Sequence, residues 1–159
     1  MTATPRVSIA PATSRAAIAV VRALILEYQH SLGVELAFQH FDDEVASLGT
    51  VYGPPGGALL LAALDDVPAG CVGVRAFSAG CCEMKRLYVT PAARGHGLGR
   101  QLAHAAMAEA RALGYRVMRL DTLPMMHDAQ ALYMTLGFHD IPPYRHSPVA
   151  GTRYLEASL

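Results

Sequence analysis

Apolar positions along the chain recur with two different periods, and the switches between them mark out the elements. Residues 6–10 alternate apolar and polar side chains and predict a short strand. Ile18, Val21, Ile25, Tyr28 and Leu32 then recur at helical spacing, with Thr13 or Ser14 as the cap and Gly33 as the stop. A weaker helix is expected around residues 41–48, with the acidic trio Asp42, Asp43 and Glu44 near its start. The run Gly53-Pro54-Pro55-Gly56-Gly57 breaks both regular structures and reads as a loop. Residues 58–64, 70–77 and 82–89 read as three strands of an antiparallel meander, joined by turn-like Asp65-Asp66 and Ser78-Ala79-Gly80. Pro91 ends the third strand.

A Gly-rich loop leads into a helix over 98–113, whose apolar face is Leu98, Leu102, Ala106, Ala110 and Leu113. Beyond Gly114 come a strand over 117–122, a helix over 127–136 stopped by Gly137, and closing strands over 138–141 and 153–156 around the Pro-rich loop 142–148. The order is that of an α+β fold. No internal repeat or linker interrupts it, so residues 1–159 read as one domain.

Composition narrows the class. A hydrophobic share of 52% against 16% charged residues excludes a disordered chain. No apolar run approaches the roughly 18–20 residues of a membrane span. The cysteines Cys71, Cys81 and Cys82 are odd in number, and two are adjacent, which predicts no disulfide framework and a reducing cytoplasm. The histidines show no metal-ligand spacing, so no metal is expected. The 13 bases and 13 acids cancel, which argues against a general nucleic-acid binder. The neutrality is uneven, however. Residues 1–80 carry seven acids and four bases, residues 81–159 six acids and nine bases, and between Lys85 and Arg119 Glu109 is the one acid among seven bases. By charge alone, that stretch fits either an anionic ligand or a solvated surface face.

Within it lies Arg94-Gly95-His96-Gly97-Leu98-Gly99-Arg100, between a strand and a helix. Glycines let the backbone approach a ligand closely. The free N–H groups of the first helical turn, with the helix dipole, favour an anion such as phosphate, and Arg94 and Arg100 add charged donors. The glycines do not match a dinucleotide-fold or Walker A spacing.

Read with its flanks, Leu87-Tyr88-Val89-Thr90-Pro91 and then Arg94, Gly97 and Gly99, the stretch resembles the pyrophosphate loop of the GNAT superfamily of acetyl-CoA-dependent N-acetyltransferases. A second signature of that family is matched by Ala129, Leu132-Tyr133 and Gly137-Phe138. The segment from Glu83 to Val89 is similar to a bacterial subgroup of small GNAT enzymes. The resemblance implies a mixed, mostly antiparallel central sheet with helices on both sides, its third meander strand splaying from the next to admit acetyl-CoA as cosubstrate. It implies that backbone amides from Arg94 through Gly95, His96, Gly97, Leu98 and Gly99 to Arg100 hold the pyrophosphate. Leu87-Tyr88-Val89 would pair with the pantetheine arm like an added strand, and the amide near Leu87 would polarise the thioester carbonyl. Met126 stands where many members carry an Asn that contacts that arm. A homodimer is common in the family.

Amine acetylation poses two proton problems. The amine arrives protonated, with a pKa of about 10, and the departing thiolate needs an acid. Glu83 is the expected base, directly or through water, against the alternative of an exposed carboxylate or an ion pair with Arg86. Tyr133 is the expected acid, against a purely packing role. Cys82 has no paired base nearby in sequence, so an acyl-cysteine route is not expected. The acceptor region is expected to involve Glu27, Tyr28, Glu35, Phe38, Gln39 and His40, with Tyr144 and Arg145 from the late loop. The expected function is acetyl transfer to a primary amine of a small, amino-acid-like acceptor by direct attack. The rivals are a protein N-terminal or lysine acetyltransferase and a non-catalytic acyl-CoA-binding module. Neither a nucleic acid nor a membrane is an expected partner.

Overall fold

The computed structural model describes residues 3–33 and 40–159. Strand β1 (Val7–Pro11) is followed by α1 (Arg15–Leu32), α2 (Phe41–Ala46) and α3 (Leu48–Val51), so the weak helix expected near residue 41 is two short ones. The meander comes next as β2 (Ala58–Leu64), β3 (Val67–Ser78) and β4 (Cys81–Val89). A 3-10 turn at Pro91–Ala93 leads to α4 (Leu98–Ala112), β5 (Val117–Thr122), α5 (His127–Thr135), β6 (His139–Asp140) and β7 (Arg153–Ser158).

Local chemistry explains the boundaries. The Ser14 hydroxyl accepts from the Ala17 amide at 3.1 Å and starts α1, and Gly33, in the left-handed region, ends it. Asp65 and Asp66 both adopt positive φ, the geometry of a two-residue hairpin turn whose twist suits the flanking strands. The expected face of α4 is buried except for Leu113, which stands past the helix end and is exposed.

The sheet runs β1-β2-β3-β4-β5-β7-β6. Every pair is antiparallel except β4 with β5. This is the mixed, mostly antiparallel sheet expected, with helices on both faces. One face packs on α4 through Leu60, Val72, Met84, Leu102, Ala106 and Met118. The other packs on α1 to α3 through Val21, Ile25, Leu48, Tyr52, Cys71 and Tyr88.

Two irregularities in β4 open and line the gap beside it. Its parallel pairing with β5 covers only Cys81 to Glu83, opposite Val117 to Arg119, so the strands part beyond that point. Against β3, Lys85 pairs with Gly73 and Tyr88 with Cys71. Two β4 residues, Arg86 and Leu87, therefore oppose Val72 alone, and Arg86 takes φ +61. The bulge reverses the side-chain alternation. Cys82 and Met84 face α4, whereas Tyr88 joins the core under α1.

Candidate active site

The gap between β4 and β5 opens into a cavity of about 680 Å³. Met84 to Val89 form one wall and Asp121 to Leu123 the other. Tyr28, Ser31 and Leu32 of α1 close one side. Met125 to Ala129, Leu132 and Tyr133, in and before α5, close another.

At one end of the cavity stand Arg94, Gly95, Gly97, Leu98 and Gly99, with the first turn of α4. Gly95 and Gly97 have φ of +86 and +75, which L side chains rarely adopt, and a Cβ on either would point into open space. Both glycines line the cavity beside the first turn of α4, whose amides have no helical partner, the arrangement an anion site requires. The Arg94 guanidinium donates from Nε to the Val89 carbonyl at 3.2 Å and remains at the surface. Two expected contributors do not line the cavity. Arg100 donates instead to the Thr135 hydroxyl at 3.0 Å, and His96 stands outside, exposed. Met126 does line it, and its sulfur receives the Tyr28 and Thr122 hydroxyls, each at 3.7 Å.

At the other end the polar side chains are Lys85, Arg86, Asp121 and Tyr133. Tyr133 is buried edge-on against Phe138, and burial holds its phenol protonated well above the usual range. Its ring belongs both to the core and to the cavity wall, so the packing and functional readings share one geometry.

Glu83 is placed differently from a solvent-facing strand carboxylate. It is fully buried and is not among the cavity-lining residues. Arg75 donates to its Oε1 from Nη2 at 3.0 Å, and Arg145 donates to both oxygens, at 2.6 and 3.0 Å. The Tyr144 hydroxyl adds a bond to Oε2 at 2.8 Å. Burial opposes the charge, but Lys85, Arg145 and Arg75 together outweigh it and hold the carboxyl at about 2. Arg86, the ion-pair partner considered from sequence, is turned by the bulge to Glu44 of α2, with bonds of 2.7 and 3.0 Å. Arg145 also reaches Asp121 at 3.2 Å, and Lys85 reaches the other Asp121 oxygen at 3.3 Å. Five elements thus share one largely buried network of charge.

Of the expected acceptor residues, Glu35, Phe38 and Gln39 lie outside the described residues. Glu27 accepts from the Tyr88 hydroxyl at 2.9 Å, and Tyr28 packs on the Tyr88 ring. His40 precedes α2 and borders a second hollow with Glu44, Arg75, Arg145 and His146. Sequence reasoning gave no site role to Arg75, Lys85 and Asp121, because strand alternation alone marks such residues as solvent-facing, nor to Glu44, which read as an acid at a helix start. Cys82 is buried, and desolvation raises its thiol to about 12, which leaves it inert as a nucleophile. No group of side chains able to hold a metal ion is present among the described residues.

Comparison with known proteins agrees with this geometry. Residues 19–138 match the model of the acetyltransferase (GNAT) family. An uncharacterised N-acetyltransferase of Schizosaccharomyces pombe is 42% identical over 138 residues, 86% of this chain and 85% of its own. An acetyltransferase from Streptococcus agalactiae superposes with a TM-score of 0.79 at 21% identity, covering 96% of this chain and 98% of its own. The PaiA N-acetyltransferase of Thermoplasma acidophilum, solved in complex with coenzyme A, superposes with a TM-score of 0.72 at 13% identity, over 97% and 99% of the two chains.

Proposed function

The chain belongs to the GNAT family and is an acetyl-CoA-dependent N-acetyltransferase; we propose that its acceptor is the primary amine of a small, amino-acid-like molecule, which attacks the thioester directly. The observation that carries this reading is the continuous cavity between β4 and β5. It joins the first turn of α4, with its free amides, at one end to a set of polar, proton-bearing side chains at the other. A cosubstrate with a pyrophosphate and a thioester has need of both ends.

In this reading the amides of Gly95 to Gly99 receive the pyrophosphate, and Arg94 screens it from the surface. The main chain of Leu87-Tyr88-Val89 pairs with the pantetheine arm, and the bulge at Arg86 aims the Leu87 amide at the thioester carbonyl. Met126 gives that arm an apolar wall in place of an amide. Alignment of the amine with the carbonyl removes the need for a covalent enzyme intermediate, in keeping with the inert Cys82. Tyr133 protonates the departing sulfur. A carboxyl held at about 2 has little affinity for a proton near neutrality. Glu83 therefore acts from behind the cavity wall, as the fixed negative charge that orients Arg145 against Asp121.

The test measures free thiol release from acetyl-CoA over a panel of amino acids, small amines and peptides, with mass spectrometry of the products. Release with small amines and none with peptides is expected. Acetylated peptide termini or lysines would overturn the small-molecule acceptor. Coenzyme A binding without transfer to any amine would overturn acetyl transfer in favour of a binding module.

A further inference from the structure

Among the chain's 13 bases there is a single lysine, Lys85; the other 12 are arginine. Lysine serves most proteins as a surface solubiliser, yet this one is only 4% exposed. It stands on the cavity wall of β4, on the strand that leads to Leu87. Its amino group reaches Asp121 across the gap at 3.3 Å, and Asp121 and Tyr133 line the same cavity. Asp121 also acts electrostatically on Tyr133 and on Tyr28 of α1, so these groups form one neighbourhood. An arginine here would carry a permanent charge, whereas a lysine can lose its proton.

We infer that Lys85 is a catalytic residue of the acetyl transfer, the base that takes a proton from the acceptor's amine, with Asp121 as the positioning residue that holds its Nζ at the cavity wall. The inference rests on the acetyl-transfer reading above. The acceptor's ammonium gives one proton to the neutral Nζ. The freed lone pair forms the N–C bond to the thioester carbonyl carbon, and the C–S bond breaks. Tyr133 protonates the sulfur, and the surplus proton on the new amide nitrogen restores the phenol through solvent. Lys85 then passes its own proton to solvent.

The charged groups around Nζ set its titration. Asp121 of β5, Glu83 of β4 and Glu44 of α2 favour the ammonium, while Arg86 of β4 and Arg145 of the late loop oppose it. Tyr28 of α1 and Tyr133 of α5 face the same space as neutral phenols. Burial dominates and brings the lysine down to about 8, where neutral and charged forms interconvert under working conditions.

The experiment has a spectroscopic and a kinetic arm. Protein labelled with 13C-lysine carries one lysine side-chain signal, so its pH titration reports Lys85 alone. A midpoint near 8 is expected, moving lower in Asp121→Asn, which removes the anion that favours the ammonium. A midpoint of 10 or above overturns the inference. In the kinetic arm, kcat/KM for the best amine of the panel rises with pH to the same midpoint. Lys85→Met and Lys85→Arg each lose at least 100-fold, while acetyl-CoA still raises their melting temperature. A merely structural cation would tolerate arginine, so Lys85→Arg within threefold of the wild type, with its pH profile unchanged, overturns the inference. Should neither Lys85 variant fold, the lysine titration and Asp121→Asn decide alone. Absence of transfer by the wild type to every amine overturns the proposed function and this assignment together, whereas transfer that survives Lys85→Met overturns this one only.

Discussion

Glu83 and Tyr133 differ in what their burial does. Glu83 keeps its charge inside the protein because three cations surround it, and its carboxyl lies at about 2 against an ordinary 4.5. A depressed folded-state value contributes stability above pH 4.5, and that contribution is lost as the pH falls from 4.5 through 2. It is on the order of 3 kcal/mol, and Glu44, also lowered beside Arg86, adds in the same direction. Glu83→Gln leaves Arg75 and Arg145 facing a neutral amide. A loss of about 3–5 kcal/mol is expected in urea unfolding at pH 7, shrinking toward pH 2 as the wild type protonates. Tyr133→Phe keeps the ring against Phe138 and removes only the hydroxyl. It is expected to lower kcat about 100-fold with little change in KM for acetyl-CoA, read from thiol release. Tyr133 and the glycine loop were legible because residue type and spacing survive in a linear pattern. The partners of Glu83 were not, since Arg75 and Arg145 reach it from a neighbouring strand and a distant loop.

At the scale of elements, the α4 terminus and the bulged β4 set the geometry. Gly97 caps α4 at φ +75, where an alanine is strained by about 1–2 kcal/mol. Its added Cβ would also stand in the open space where the pyrophosphate is proposed to lie. Gly97→Ala is expected to weaken acetyl-CoA at least tenfold in calorimetry. Gly99→Ala supplies the contrast for folding. Its Cβ would make an ordinary contact with Leu132 at 3.7 Å, so the melting temperature of the free protein is expected to hold or rise. Turn and cap residues announced most element boundaries within a residue or two. The bulge left no such mark, because Arg86 adopts positive φ without being glycine. Only the register against β3 and the pull of Glu44 on its guanidinium account for it.

At the scale of the whole molecule, the cavity exists because β4 and β5 pair over three residues and then separate. Acetyl-CoA bound as proposed would touch β4, β5, α4 and α5 and would bind only the folded chain. At 100 times its dissociation constant it adds about 2.7 kcal/mol, which corresponds to a rise of roughly 5–10 °C in Tm. Thermal melts over a titration check this, and no shift at millimolar acetyl-CoA removes the site. The apolar periods, the glycine loop and the Leu132-Tyr133 signature determined from sequence alone the element order, the family resemblance and which loop is proposed to receive the anion, because each is a local pattern read over a few residues. What only the tertiary structure decided is how the buried charges are paired. The charges of Glu44, Arg75, Glu83, Lys85, Arg86, Asp121 and Arg145 come from five segments, and their ionisation depends on burial and on each other. Burial and pairing are properties of the folded sheet, so no stretch of the chain carries them by itself.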